Sequence, residues 1–275
     1  MNTIAPTISK GYTIETEIAH GSFARVYRAT SRETGEKIAV KSIKTRRYES
    51  FVHARNIIIR EYDKLNVFDC EQIIKPIGIN IEKLEASMLM PLYTTDMLTH
   101  TIRSKTGMPE EDVLKVGYKL ALALKCIHDN GYVHRDIKPG NVLYWKTLDN
   151  VVLCDLGITE KEIDINQYNF AGTEPFVAPE VKLKCRLPVG TTDFLFVGKP
   201  SDIFSLGATL FFMLSMSNAV DQGKHVDPIE IQTKVSELNC SSLFKDFLTK
   251  VLVTVPSKRL TIDDVLKHEV FQPFA

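Results

Sequence analysis

The pattern of apolar and polar positions divides the chain into two parts of different character. Residues 12–45 contain strand-like runs broken by a turn at Gly21 and by the hairpin sequence 33–36, as expected of antiparallel strands. Over 51–67 the apolar residues recur at helical spacing, which predicts one helix. Apolar runs at 73–80 and 84–92 predict two more strands. This part is therefore expected to form a small sheet carrying one helix.

Helical periodicity dominates the second part. Apolar residues are spaced for a helix over 110–130, and Gly131 follows as a helix stop. Further helices are predicted at 201–216, 241–252 and 261–268, the last capped by Thr261 with Asp264 three residues later. Two short strands, 142–144 and 151–154, are predicted on either side of a turn at 148–150. Strand character gives way to helix near Met90–Tyr93, which predicts a boundary there.

Charge and cysteine content narrow the functional classes. Lys plus Arg and Asp plus Glu both number 34 in 275 residues, so the formal net charge is zero. That balance argues against bulk binding to nucleic acid or to an anionic membrane, and no direct nucleic-acid partner is expected. The five cysteines are odd in number and widely spaced, which favours free thiols over a disulfide framework or a zinc site.

Nothing in the sequence predicts export or membrane insertion. The N-terminus lacks the basic and then apolar order of a signal peptide. The most apolar stretch, 203–216, is shorter than the roughly 20 residues that span a bilayer. We expect an intracellular protein without a membrane span, in the cytoplasm, the nucleus or both. The basic run 44–47 fits either a nuclear address or a solvated loop.

Two acids and an amide are spaced for chemistry on phosphates. Asp136 and Asn141 lie in the run HRDIKPGN (134–141), and Asp155 begins the sequence DLG. An acid that accepts a hydroxyl proton, with an Asn and a second Asp that hold a divalent cation, is what phosphoryl transfer requires. Each residue alone could be a turn residue or a helix cap. Together, at this spacing, they resemble the serine/threonine branch of the protein kinase family.

The resemblance extends from about residue 12 to the C-terminus and implies an α+β, bilobal protein kinase-like fold. An N-terminal antiparallel sheet with one helix (12–90) would precede a mainly helical C-terminal lobe (91–275), after an extension over 1–11. ATP would bind in the cleft between the lobes. Gly172–Glu180 resembles the end of an activation segment, and Asp202 and Arg259 resemble buried structural charges, with Glu180 as the partner of Arg259.

Family roles can be assigned to the catalytic residues one by one. Asp136 would accept or orient the proton of the attacking hydroxyl, and Lys138 would neutralise charge on the transferring phosphoryl group. Asn141 and Asp155 would hold Mg²⁺, or Mn²⁺ in its place. Lys138 and Thr173, which is expected to face the catalytic site, favour Ser and Thr acceptors in protein substrates. His134 is expected to shape the loop rather than to exchange protons.

The predicted nucleotide site depends on a lysine and an incomplete glycine flap. Lys41 resembles the strand lysine that binds the α- and β-phosphates, and its helix partner is Glu61 or, as the alternative, Asp63. Only the middle glycine of the flap pattern, Gly21, is present, so these residues taken alone favour a plain hairpin. Further contacts with the nucleotide are implied at Ala19, His20, Ser22, Val26, Ala39, Met90, Leu92, Asp96 and Leu143.

Regulation is the least determined aspect. Arg135 is hypothesised to pair with a carboxylate of the activation segment (Glu160, Glu162 or Asp164), the alternative being a solvated acidic loop. The connection 187–198 is longer than in the family pattern, and Phe194–Phe196 within it would either dock a regulatory protein or pack on the C-terminal lobe.

The leading interpretation is an active serine/threonine protein kinase. The alternatives are a pseudokinase that binds but does not turn over nucleotide, and a small-molecule kinase of the same fold.

Overall fold

Alternating polar and apolar residues near the N-terminus form an antiparallel sheet. The computed structural model describes residues 11–21, 24–45, 47–82, 84–165, 170–184, 198–222 and 226–275. Five strands pair in the order β1–β2–β3–β5–β4. They are β1 Tyr12–His20, β2 Arg25–Ser31, β3 Lys37–Lys44, β4 Gly78–Glu82 and β5 Glu85–Pro91.

The predicted helix of this unit is α1 (Tyr48–Val67). Its apolar face buries Ala54, Ile58 and Leu65 at helical spacing, which is why the segment folds as a helix rather than as another strand. The first predicted apolar run is strand only from Gly78 onward, because Pro76 cannot donate to a strand ladder.

The described chain divides into two units. The first ends at Asp69 and resumes over Ile73–Tyr93, and the second comprises Cys70–Gln72 and Thr94–Ala275. Cys70–Gln72 belongs to the second unit, where the Gln72 carbonyl accepts from the Leu153 amide at 2.7 Å. The sequence had predicted the boundary after Met90.

The second unit is mainly helical, as predicted. Its helices are α2 Met97–Ser104, α3 Glu110–Asp129, α4 Pro179–Lys184, α5 Lys199–Ser215, α6 Pro228–Glu237, α7 Ser242–Val251 and α8 Ile262–Lys267. Its short strands are β6 Thr95–Asp96, β7 Tyr132–Val133, β8 Val142–Trp145, β9 Thr147–Leu153 and β10 Glu160–Lys161. Helices α3 and α5 approach closely at Gly117, where an added Cβ would lie 2.9 Å from Leu210. None of the described helices is long and apolar enough to cross a membrane.

One predicted turn was wrong. Residues 148–150 belong to β9, and the chain reverses at Lys146, whose φ is +61°. The ladder that pairs Val142 with Leu153 and Tyr144 with Val151 fixes the turn there. The polar residues are tolerated in the strand because they stay exposed, and Asp149 pairs with Lys115 at 3.0 Å.

Several predictions fall outside the described residues. They concern the N-terminal extension up to residue 10, Ser22 of the flap, most of the connection 187–198 and the sequence Phe194–Phe196 within it. Four cysteines that the structure describes (Cys70, Cys126, Cys154 and Cys240) are free thiols.

Candidate active site

In the first unit, β3 and α1 bring Lys41 and Glu61 together. The Lys41 ammonium lies 2.7 Å from both carboxylate oxygens of Glu61, and only 2% of the Glu61 side chain is exposed. Asp63, the alternative partner, is exposed on another face of the helix. A buried carboxylate that engages the lysine symmetrically fixes the direction of a long and otherwise flexible side chain.

The flap is a tight connection between β1 and β2. Ala19 pairs with Val26 and His20 with Arg25, and the Gly21 amide donates to the Ala24 carbonyl at 2.8 Å. Among the described residues, positive φ is absent from the flap, so the alanines that replace two glycines carry no left-handed strain. The missing glycines therefore do not prevent the hairpin from forming.

Other predicted nucleotide contacts lie at strand positions or strand ends. In the first unit, Ala39 and Met90 are register partners on β3 and β5, and Leu92 follows β5 directly. In the second unit, Leu143 pairs with Asp96. Asp96 also caps α2, since its carboxylate accepts from the Thr99 amide and hydroxyl, both at 2.8 Å. The capping role alone accounts for an aspartate at position 96, so the predicted contact of Asp96 with the nucleotide stays a prediction.

In the second unit, residues 134–141 form the loop called here the catalytic loop. A buried carboxylate on α5 anchors this loop. Asp202, 1% exposed, accepts from the amides of His134 at 2.8 Å and Arg135 at 2.9 Å. It also accepts from the His128 ring at 2.9 Å. Burial alone would raise the pKa of Asp202, but the hydrogen bond and charge of His128, together with His134 and the Arg135 amide, hold the pKa below its ordinary value. The loop is thereby fixed through its main chain at Arg135, whose φ is +74°.

His134 is enclosed by the loop and stays neutral. Burial lowers its pKa below the ordinary value of 6.5, and its Nδ1 accepts from the Asp136 amide at 3.1 Å. These observations agree with the predicted shaping role.

Asp136, Lys138 and Thr173 form a closed triangle of hydrogen bonds. The Thr173 hydroxyl donates to Asp136 Oδ1 at 2.6 Å, and Lys138 Nζ lies 2.7 Å from both Asp136 Oδ2 and the Thr173 hydroxyl. The structure thus brings together the three residues predicted to be catalytic. The Asp136 carboxylate is 11% exposed, and it already accepts a hydrogen bond from an alcohol.

The hairpin of β8 and β9 brings the two predicted metal ligands to one end. Val142 pairs with Leu153, and the Cys154 amide donates to the Asn141 carbonyl at 2.9 Å. Asp155 directly follows this donor, so Asn141 and Asp155 lie at the same end of the hairpin. Asn141 Nδ2 donates to the Asp136 carbonyl oxygen at 2.9 Å, which leaves its Oδ1 as the side-chain acceptor. Leu156, which replaces the usual Phe, is fully buried.

These residues fit a hard divalent cation. Carboxylate and amide oxygens are the ligands that Mg²⁺ prefers, and Mg²⁺ usually takes one or two protein ligands and completes its shell with water and phosphate. Among the described residues, His, Cys, Asp and Glu form no cluster of three or more that could hold a metal. Such a site would therefore depend on oxygen atoms from a bound phosphate.

The activation segment is tied to the catalytic loop by charge and main chain. Arg135 Nη1 forms an ion pair with Glu160, and the Arg135 side chain is only 9% exposed. Glu160 and Lys161 pair with Val133 and Tyr132 in a two-stranded ladder. Glu162 accepts from the Lys199 amide at 2.9 Å, at the N-terminal end of α5. Of the three predicted carboxylates, the structure thus selects Glu160 for Arg135.

A second buried ion pair holds the end of the segment. Arg259 Nη1 and Nη2 lie 2.6 and 2.7 Å from the two carboxylate oxygens of Glu180, and both side chains are at most 1% exposed. Arg259 also donates to the carbonyls of Pro200 at 2.8 Å and Val253 at 2.6 Å. The predicted pairing is therefore present, and its hydrogen bonds compensate the burial of charge.

Sequence reasoning missed His128. It lies on the buried face of α3 with Leu124 and Ile127 and is 3% exposed. A signal was available, because a polar ring on an otherwise apolar helical face requires a buried partner.

Comparison with known proteins identifies the family to which this chain belongs. The family described as "Protein kinase domain" matches residues 12–271. The chain therefore belongs to the protein kinase family.

Three curated relatives, all named as kinases, are less than 30% identical to this chain. Probable serine/threonine-protein kinase pXi of Dictyostelium discoideum is 28% identical over 97% of this chain and 36% of its own length. Sperm motility kinase 3A of Mus musculus is 29% identical over 94% of this chain and 49% of its own length. Calcium/calmodulin-dependent protein kinase type I of Schizosaccharomyces pombe is 28% identical over 94% of this chain and 77% of its own length. The chain thus spans about a third to a half of the first two relatives.

Proposed function

We propose that this protein is an active serine/threonine kinase that transfers the terminal phosphoryl group of ATP to Ser and Thr hydroxyls of protein substrates. The observation that carries the proposal is the hydrogen bond of 2.6 Å from the Thr173 hydroxyl to Asp136. This bond supports the proposal, because an attacking substrate hydroxyl requires the same contact, in which an alcohol donates its proton to the carboxylate.

In the proposed reaction the substrate oxygen forms a bond to the terminal phosphorus of ATP. The bond between that phosphorus and the bridging oxygen breaks, and ADP leaves. Asp136 takes the hydroxyl proton, and Lys138, 2.7 Å from Asp136, offsets negative charge on the group in transfer. Lys41 binds the phosphates of ATP, and Glu61 holds it in position.

Asn141 and Asp155 are proposed to hold the divalent cation, Mg²⁺ or Mn²⁺. The cation would supply positive charge that shields the phosphate oxygens and orients them. Since both residues flank the same end of the hairpin of β8 and β9, their side-chain oxygens can serve one phosphate-bound ion. Titrating the two metals into the chain with ATP present, by calorimetry, tests this assignment separately from turnover.

The decisive experiment is phosphoryl transfer by the purified chain to a library of Ser, Thr and Tyr peptides, with Asp136→Asn as the control. We expect phosphoserine and phosphothreonine, and no product from the control. Product restricted to phosphotyrosine would contradict the assignment of the acceptor. A small-molecule kinase would instead phosphorylate metabolite acceptors and leave every peptide unmodified.

The reduced glycine flap is the one feature that favours the second candidate, a pseudokinase. Only Gly21 of the usual three glycines is present. Nucleotide binding in calorimetry, without transfer to any acceptor above the level of Asp136→Asn, would favour that function over catalysis.

A further inference from the structure

A groove of about 920 Å³ opens on the second unit. Its walls are the segment 104–110, which leads from α2 into α3, the C-terminal end of α5 with the residues after it, and the last turns of α6. None of the residues that line it belongs to the predicted catalytic, nucleotide or metal sites. Its volume lies within the range of about 300–1,000 Å³ that is typical of ligand sites.

One wall of the groove is held rigidly against α5. Gly107 has φ +89°, and an added Cβ would lie only 1.9 Å from the Leu214 carbonyl oxygen, so only glycine permits this approach of two backbones. Beside it, the Met108 amide donates to the Met213 carbonyl at 2.8 Å. Because this wall is preformed, a ligand would lose little free energy in ordering it.

The lining of the groove is apolar at its base. Met108, Phe211 and Leu238 are 4%, 1% and 9% exposed. Above these buried side chains the lining also contains Pro109, which is exposed, and Leu214, which is half-buried, and these two give an incoming apolar side chain a surface that excludes water.

The charged residues of the groove are mainly acidic. Among the described residues that line it, Glu110, Asp221 and Glu237 are acidic and Lys234 is the one cation. Lys234 Nζ lies 2.9 Å from both Asp221 and Glu230, so its charge is already balanced within the chain. Glu237 is exposed and forms no ion pair with any residue that the structure describes. The groove therefore favours a cationic ligand and disfavours phosphates and acidic peptides.

We propose that this groove binds an extended segment of a partner protein in which one apolar side chain is flanked by Lys or Arg. The apolar side chain would lie on Pro109 and Leu214, above the buried Met108, Phe211 and Leu238. The flanking cations would meet Glu237 and the acidic side of the groove. This combination of an apolar anchor and complementary charge supplies both affinity and selectivity. The proposal does not depend on phosphoryl transfer, because binding can be measured without it.

The test measures binding of fluorescein-labelled peptides to the full chain by anisotropy. One peptide carries a leucine flanked by arginines, a second replaces that leucine with serine, and a third replaces the arginines with glutamates. We expect saturable binding of the first peptide only, weakened by added salt.

Variants locate the bound peptide. Glu237→Lys and Asn239→Arg each place a cation in the groove, and neither residue makes a hydrogen bond or ion pair with another described side chain. Each is expected to raise the Kd of the first peptide by about tenfold. Glu269→Lys makes the same charge change at an exposed position outside the groove and should leave the Kd unchanged.

Three results would overturn the proposal. They are equal binding of the acidic peptide, an equal effect of all three variants, and absence of saturable binding. Concentration-dependent self-association in sedimentation that the groove variants abolish, without peptide binding, would identify a second copy of the chain as the occupant instead.

Discussion

Asp202 anchors the catalytic loop from α5, whereas Asp136 belongs to the loop, and the surroundings of the two carboxylates differ. Asp202 is buried and accepts from two main-chain amides and the His128 ring. Asp136 is held by the side chains of Lys138 and Thr173 and keeps some exposure to solvent. Main-chain donors cannot leave without unfolding the loop, whereas side-chain donors can yield to a substrate. The fold thus fixes one carboxylate for architecture and leaves the other available for chemistry.

The largest expected effect is on turnover by Asp136→Asn. Loss of a general base should lower the rate of phosphoryl transfer by about 100- to 10,000-fold. The free energy of unfolding should change little, because Asn can still accept from Thr173. Initial rates measure the loss of transfer, and chemical denaturation measures the free energy of unfolding. A variant that is as active as the wild type would remove Asp136 from the reaction.

Asp202→Ala should have the opposite profile, because its main effect should be a lower free energy of unfolding. It leaves His128 and two buried amides without their acceptor, and removing one member of a buried charged cluster costs about 3–5 kcal/mol. Denaturant midpoints measure the loss. Asp63→Ala, which removes an exposed carboxylate on α1, serves as the matched control and should leave the midpoint unchanged. Equal midpoints for both variants would mean that Asp202 does not anchor the loop.

Glu160→Gln tests the link between the catalytic loop and the activation segment. Arg135 of the loop donates to Asp202 through its amide and forms an ion pair with Glu160 of the segment through its side chain. Glu160 is 43% exposed, and such a pair contributes roughly 1 kcal/mol or less, so activity should fall by about fivefold at most. Asp164→Asn, which neutralises a neighbouring acid, should have no effect.

The ion pair between Arg135 and Glu160 also predicts that phosphatase treatment leaves the activity of the wild type intact. The Glu160 carboxylate already takes the position beside Arg135 that a phosphate on the activation segment would take. Purified protein that is inactive until this segment is phosphorylated would contradict the prediction.

The smallest expected effect is a pH dependence from His134. Its folded pKa lies below the ordinary value of 6.5, so the unfolded chain binds more protons than the folded one below that pH. The stability due to neutral His134 is therefore complete above 6.5 and declines as the pH falls toward the folded pKa. His134→Phe, which cannot titrate, should flatten the pH dependence of the denaturant midpoint between neutral and mildly acidic pH. An unchanged slope would show that His134 is not the titrating group.

Local signals were enough for many elements. Helix α8 begins at Thr261 with the predicted reciprocal capping by Asp264, and α3 ends at Asp129, just before Gly131. Three of the described helices, α2, α4 and α6, were missed, although Asp96 caps α2 and Asp227 caps α6. Their apolar faces are short, and a capping residue by itself also fits a turn.

The amino-acid sequence by itself determined which chemical groups this kinase-family chain carries and in what order, because residue types at fixed spacing specify chemistry locally. It also determined most helices and strands, since periodicity reports which face of an element is buried.

Where the sequence left several partners open or named none, only the tertiary structure decided which residues meet. It chose Glu160 among three acids for Arg135, gave Asp202 its partner His128, and moved the turn of β8 and β9 to Lys146. Each outcome depends on residues distant in sequence whose approach is set by packing and strand register, which local patterns do not encode.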